Sequence, residues 1–237
     1  MKKKILGILG GMGPLASAEF LLSIYENHGS LSVEQDNPDV ILCSLASTAD
    51  RTAAILGDND NNLYGILKDN LMKLQGQGVH RIIICCFTSH HFLSRLPKEL
   101  TQSIVSIVDV ALKEIKKLKR PALLLASRGC YEKQVFQASK LFSDASEYII
   151  IPDEHDRAIV HDIIYTNLKV NPNKSLAYEK VRALLVKYNT DTFIAGCTEF
   201  HMLVRYMLSN RMNGVVSFVD PLHIIAENLE AFLNEGC

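Results

Sequence analysis

The sequence predicts an α/β protein built as two similar halves, each a parallel sheet covered by helices. Three observations support that class. Short β-favouring runs alternate with stretches of helical period. The runs are apolar throughout rather than at every second residue, as expected of parallel strands buried on both faces. The chain also resembles itself at an offset of 111 residues, which carries Cys86 onto Cys197, His90 onto His201, and Val105-Ser106-Ile107-Val108-Asp109 onto Val216-Ser217-Phe218-Val219-Asp220.

Taken in order, the first run covers residues 5–9 and ends at Gly10-Gly11-Met12-Gly13-Pro14. Pro14 suits the first position of a helix, where its fixed φ is already helical and its missing N–H would have no partner. Further runs cover residues 40–42, 82–86 and 104–108. Before the third, Leu63, Ile66, Leu67, Leu71 and Leu74 recur at the spacing of one helix face. The second set of runs covers residues 122–126, 148–151, 192–195 and 215–219, and Ile159, Val160, Ile163, Ile164 and Leu168 mark a helix face before 192–195. The opening runs, 5–9 and 122–126, match at an offset of 117, as a small insertion between first and third strands requires. Within residues 116–121 five of six are Lys, Arg or Pro and apolar periodicity lapses, which marks a junction. The expected division is a first domain of residues 1–115 with 213–237, carrying Cys86, and a second of residues 116–212, carrying Cys197.

Of the 237 residues, 48% are apolar, enough to bury a core without disulfides or a structural metal. The 25 Lys and Arg nearly balance the 26 Asp and Glu, for a formal net charge of -1 with no long run of either sign, which argues against a nucleic-acid surface. Lys2, Lys3 and Lys4 precede an apolar run, but that run is too short for a secretory signal and contains Gly7. No apolar stretch approaches the roughly 20 residues that span a bilayer. A cytoplasmic protein is expected, with Cys43, Cys85, Cys86, Cys130, Cys197 and Cys237 reduced rather than paired.

In open α/β sheets, ligands gather at the carboxyl ends of the strands. Cys86 ends the third run and is followed by Thr88; Cys197 ends Phe193-Ile194-Ala195-Gly196 and is followed by Thr198 and Glu199. At a strand-to-helix junction, free backbone N–H groups and the helix dipole favour an anion, so a thiol there loses its proton more readily. Two such thiols on facing halves supply a base for one face of a substrate carbon and an acid for the other, an arrangement suited to inverting a stereocentre. Zinc is the competing assignment, because Cys86-x-x-x-His90 and Cys197-x-x-x-His201 contain the ligand set of a closed tetrahedral site. It is the weaker one, since a strand-end cysteine and a histidine one turn into the next helix tend to point apart.

Gly11-x-Gly13-x-x-Ala16 satisfies a dinucleotide fingerprint, yet the second run ends at Cys43-Ser44 and not at the acidic residue that would hold a ribose. A substrate carboxylate fits this glycine loop better than a pyrophosphate. Arg51 near a helix start opposes the dipole and is explained by a ligand anion or by plain solvation. Lys169 in a last helical turn is ordinary dipole complementation on spacing alone.

The GGMGP loop after the first strand, Asp50-Arg51-Thr52 followed by Ala53-Ala54-Ile55-Leu56, Cys86-x-Thr88-x-His90 and Gly196-Cys197-Thr198-Glu199 together resemble the aspartate/glutamate racemase family over essentially the whole chain. The resemblance implies racemisation of a small acidic amino acid without pyridoxal phosphate or any other cofactor, with Cys86 and Cys197 as the catalytic pair. It also implies two α/β domains related by a pseudo-twofold, an active site in the cleft between them, and a homodimer. By position, Thr88, Ser127 and Thr198 resemble ligands of the substrate's α-carboxylate and amino group. Arg51 and Lys169 resemble the cations that hold its side-chain carboxylate. Met12 is placed to line the pocket, and Glu199 sits where glutamate racemases proper tend to carry His.

Two departures stand out. Phe87 replaces the Asn of the usual Cys-Asn-Thr, so an amide donor becomes a bulky apolar ring that removes a contact to the substrate's polar end. Cys130 stands where the family commonly has Thr. The first departure keeps two alternatives open. One is a related enzyme acting on a small dicarboxylate, of the maleate isomerase or decarboxylase kind. The other is a non-catalytic member that binds an acidic metabolite.

Overall fold

The computed structural model of the protein describes residues 3–27, 33–57, 59–212 and 214–234. Lys2, Cys237, and Asn213 at the second expected domain boundary lie outside the described residues. One sheet contains β1 (Ile5–Gly10), β2 (Asp39–Ser44), β3 (Arg81–Ile84) and β4 (Ile104–Val105), in the order β2-β1-β3-β4. The other contains β5 (Ala122–Ala126), β6 (Ile149–Ile150), β7 (Thr192–Gly196) and β8 (Ser217–Val219), in the order β6-β5-β7-β8. Every neighbouring pair is parallel. The fold is therefore the expected α/β class, and the two sheets share one strand order.

Parallel neighbours need crossovers, and helices supply them. Pro14–Asn27 joins β1 to β2, Asp60–Gly76 precedes β3, and Lys174–Lys187 precedes β7. In Asp60–Gly76 the expected face is present, with Leu63, Leu67, Leu71 and Leu74 buried against Leu9 and Ile82, while Ile66 stays at the margin. Each fully buried leucine contributes about 1.5–3 kcal/mol relative to exposure. In the other sheet, Leu123, Leu125 and Phe193 pack with Ile163, Leu184 and Phe200. The chain divides into two compact units, Met1–Ile107 with Leu222–Cys237, and Val108–Pro221.

Strand order places the site. Connections leave β1 in one direction and β3 in the other, and likewise β5 and β7, so each pair flanks a switch point, and in open α/β sheets it is at the carboxyl ends beside such a point that ligands bind. Two glycines make these tips possible. Gly11, at φ +83°, is in left-handed backbone, and a Cβ there would lie 2.1 Å from Leu45 N. A Cβ on Gly196 would lie 2.7 Å from Leu124 Cδ1 and 2.9 Å from Leu125 O, so β7 reaches β5 closely only as glycine.

Three expectations are corrected. The run 104–108 is strand only over Ile104–Val105, because Ile107, Val108, Ala111, Leu112 and Ile115 form the buried face of a helix, Ile107–Leu118. The run 40–42 is not buried on both faces; β2 is an edge strand, and Asp39 and Ser44 at its ends are exposed. The face marked by Ile159 to Leu168 is not one α-helix, since an α-helix over Glu154–Asp162 widens into a π-helix over Ile163–Lys169. Among the described residues, no helix is long and apolar enough to cross a membrane. Cys43, Cys85, Cys86, Cys130 and Cys197 are all thiols.

Candidate active site

In the first unit, β1 and β3 end side by side with Leu9 opposite Ile84. Beyond β1, Gly11 N donates to Ser17 Oγ at 3.1 Å, which folds the glycine loop onto the helix that follows. Met12 is buried there; its carbonyl accepts from Arg51 Nη2 at 2.5 Å and its sulfur from Ser89 Oγ at 3.5 Å. Arg51 opens the helix Arg51–Leu56, capped by Asp50 Oδ1, which accepts from Ala53 N at 2.9 Å. The Arg51 Nη1 also donates to the carbonyls of Thr48 and Ala49, at 3.3 and 3.1 Å. The guanidinium is thus buried and folded back onto carbonyl oxygens, which offsets its unfavourable place near a helix start.

The run expected at 82–86 leaves the sheet early. Cys85 N still donates to Leu9 O at 2.9 Å, but Cys86 N turns back to Ile84 O at 2.8 Å, so Cys86 lies two residues beyond β3. A 3-10 helix, Thr88–Arg95, follows with Thr88 buried in its first turn. His90 Nε2 accepts from Ile107 N at 3.3 Å, which leaves Nδ1 to carry the proton and donate to Cys86 O at 2.9 Å. This neutral imidazole braces the turn that presents Cys86. Phe87 is buried with its ring centroid 6.3 Å from that of His90.

In the second unit, Ala126 pairs with Gly196, so Ser127 and Cys197 are the first residues beyond two adjacent strands. Ser127 caps the helix Arg128–Glu132, its Oγ accepting from Cys130 N at 3.3 Å. Cys130 is a buried small residue in that turn. Cys197 Sγ donates to Glu199 Oε2 at 2.8 Å, and Thr198 Oγ1 donates to the same oxygen at 3.4 Å. Cys197, Thr198 and Glu199 are all buried and lead into the helix Phe200–Ser209.

The helix dipole expected to favour a Cys197 thiolate is therefore opposed by a carboxylate in contact with the sulfur. Lys169, ending the π-helix, joins this cluster, with Nζ 3.6 Å from the Tyr165 ring centroid. Burial is the strongest single influence on Lys169 and works against its charge. The combined pull of Glu199, Cys197 and Tyr165 outweighs it and holds the ammonium above the ordinary lysine range. Lys169 does more than complement a dipole.

Each unit thus gathers its own share of the expected residues: Met12, Arg51, Cys86 and Thr88 in one, and Ser127, Lys169, Cys197, Thr198 and Glu199 in the other. Tyr131 escaped sequence reasoning. Its hydroxyl accepts from Ala126 N at 3.0 Å and donates to Leu124 O at 2.6 Å, which fixes the end of β5 under Ser127. Burial first of all keeps its phenol protonated far above the ordinary tyrosine range. No spacing signal announces such a residue, because its partners are main-chain atoms. The zinc assignment loses one of its donors, because both ring nitrogens of His90 are engaged. Among the described residues, no three His, Cys, Asp or Glu side chains stand where they could hold a metal ion together.

A family model described as Asp/Glu/Hydantoin racemase matches residues 9–229. The chain is 23% identical over 210 residues to a broad specificity amino-acid racemase, RacX, of Bacillus subtilis (strain 168), covering 86% of this chain and 89% of that protein. It superposes on the Picrophilus torridus aspartate racemase with a TM-score of 0.80 at 21% identity, covering 97% and 94% of the two chains. An aspartate racemase homologue from Pyrococcus horikoshii OT3 gives a TM-score of 0.69 at 21% identity, covering 99% and 100%.

Proposed function

The chain belongs to the Asp/Glu/hydantoin racemase family and is an isomerase, and on that premise we propose that it racemises an acidic amino acid, aspartate or glutamate, with Cys86 and Cys197 as thiolate base and thiol acid. One observation carries the proposal. Cys86 and Cys197 follow β3 and β7, the corresponding strands of two sheets with the same order, at the ends where such folds bind ligands.

In the proposed reaction the Cys86 thiolate removes the α-proton from one face and becomes a thiol. The electron pair left on carbon is delocalised into the α-carboxylate, and the Cys197 thiol delivers its proton to the opposite face and becomes a thiolate. The other enantiomer exchanges the roles. Thr88, Ser127 and Thr198 hold the α-carboxylate and amino group, Arg51 and Lys169 the side-chain carboxylate, and Met12 lines the pocket. The charge state of Lys169 supports its part, since an ammonium held positive by its surroundings is suited to a second carboxylate. The proposal includes a cytoplasmic homodimer that needs no cofactor.

Phe87 favours a second reading of the substrate. A buried ring in place of an amide narrows the polar recognition that selects aspartate or glutamate, and the Bacillus subtilis relative is by name of broad specificity. A small dicarboxylate without an amino group, or binding without turnover, follows from the same change.

The test is a panel of D- and L-amino acids and maleate incubated in deuterated buffer. Deuterium should enter the α-position of both enantiomers of a true substrate, and Cys86→Ser and Cys197→Ser should each lower racemisation by about 10²–10⁴-fold or more. Full activity in both variants ends the two-thiol proposal. Conversion of maleate alone, or binding without exchange, selects the corresponding alternative.

A further inference from the structure

We propose that the two thiols are unequal in the resting protein, with Glu199 holding Cys197 as the protonated acid and leaving Cys86 as the thiol that ionises first. This deepens the two-thiol reading and rests on it for its catalytic meaning. The internal repeat exposes the difference. The offset that carries Cys86 onto Cys197 carries Thr88 onto Glu199, so the residue two places beyond the sulfur is a neutral hydroxyl in one half and a carboxyl in the other.

The geometry gives that difference a direction. Cys197 Sγ donates to Glu199 Oε2 at 2.8 Å, and both side chains are buried, at 8% and 2% exposure. The thiol is the donor and the carboxylate the acceptor, the order of their ordinary proton affinities, so the shared proton resides on sulfur. Ionising Cys197 then removes a hydrogen bond and places two negative charges in contact, which opposes ionisation. Among the described residues, the Cys86 sulfur has no carboxylate at hydrogen-bond distance; its neighbour His90 is neutral and bonds the Cys86 carbonyl instead.

Other groups facing Cys197 do not reverse this. Lys169 and Tyr165 approach from the π-helix, and Tyr131 from the helix Arg128–Glu132, with Cys130 beside it and Arg157 over its ring at 5.2 Å. Lys169 feels Glu199 more strongly than it feels Cys197, so it favours the carboxylate anion over the thiolate. Tyr131 is a neutral phenol committed to the main chain. A turnover that begins at Cys86 leaves a Cys197 thiolate against Glu199. That is the less populated form, and the resting state returns when Cys86 gives its proton to water and Cys197 takes one from water, or through the reverse reaction.

The test is alkylation by iodoacetamide across a pH series on the wild-type protein, read for each cysteine by peptide mass spectrometry. The plateau rate reports access to the sulfur, whereas the pH midpoint reports its ionisation, so different burial does not confuse the comparison. The Cys197 midpoint should lie at least about one pH unit above that of Cys86, a tenfold difference in thiolate population. Glu199→Gln should lower the Cys197 midpoint by a similar amount and leave that of Cys86 in place. Equal midpoints, a lower midpoint at Cys197, or no response to Glu199→Gln overturns the proposal. Should that variant fail to fold, the wild-type order alone decides. Alkylation needs no turnover, so this result is independent of whether solvent deuterium enters any amino acid.

Discussion

His201 Nδ1 stands 2.5 Å from Asp220 Oδ2, with both side chains buried. The pair ties the helix Phe200–Ser209 to the first residue beyond β8, and so holds in place the segment that begins at Cys197. The repeat carries His90 and Asp109 into the same register, where both have main-chain or side-chain partners of their own. His90 bonds the main chain at Ile107 and Cys86, and Asp109 accepts from Ser139 Oγ at 2.6 Å.

Asp220→Ala should cost about 3–5 kcal/mol, because it strands His201 in the core without its acceptor. Asp220→Asn keeps a hydrogen-bonding oxygen and should cost less. Urea denaturation measures both, and a loss below about 1 kcal/mol for the alanine variant would show that the pair does not anchor the helix.

Lys169 should stabilise the protein at neutral pH and lose that effect only in strong alkali. Its folded-state proton affinity is raised above the unfolded value by Glu199, Cys197 and Tyr165 against the opposing effect of burial. The contribution is then complete below the ordinary lysine range and declines as pH rises through the folded-state value. The stability difference between wild type and Lys169→Met, followed by denaturation as a function of pH, should stay flat through neutrality and shrink at high pH. A difference that grows with pH contradicts the assignment.

Gly11→Ala should lose about 1–3 kcal/mol from the left-handed backbone alone, with more from the Cβ that meets Leu45 at 2.1 Å. Because Gly11 sets the path of the loop carrying Met12, racemisation should fall together with stability. Thermal unfolding and turnover on the same preparation check both, and an alanine variant as stable as wild type would show that the loop relaxes freely.

On the proposed reading of the site, Phe87→Asn should shift preference toward aspartate or glutamate over neutral amino acids by about tenfold or more in kcat/KM, because an amide replaces an apolar ring. Removing a buried ring should cost about 3–5 kcal/mol, so the comparison belongs at low temperature. An unchanged preference in a folded variant would remove Phe87 from specificity.

Much of the scaffold was legible in residue order. The alternation of apolar runs and helical periods identified the strands, and residues 122–126 match β5 at both ends, because continuous apolar runs are what a sheet covered on both faces requires. The runs at 82–86 and 104–108 overreached for one reason. Apolar residues at 107 and 108 begin a helix face, and Cys86 is buried by its turn rather than by the sheet, so a hydrophobic run reports burial and not hydrogen-bond pattern. The widening at Ile163–Lys169 left no trace either, since Ile163, Ile164 and Leu168 are compatible with either helical pitch.

By itself the sequence determined the class of fold, the doubling of the chain and the two cysteines that follow corresponding strands, because periodicity and self-similarity are properties of residue order. Tertiary structure alone decided what each side chain touches. Arg51 is turned onto three carbonyls, His90 is spent on the main chain, and Glu199 takes the Cys197 proton as its hydrogen bond. Such choices depend on directional bonds a few ångströms long, many of them between atoms far apart along the chain, and only packing brings those atoms together.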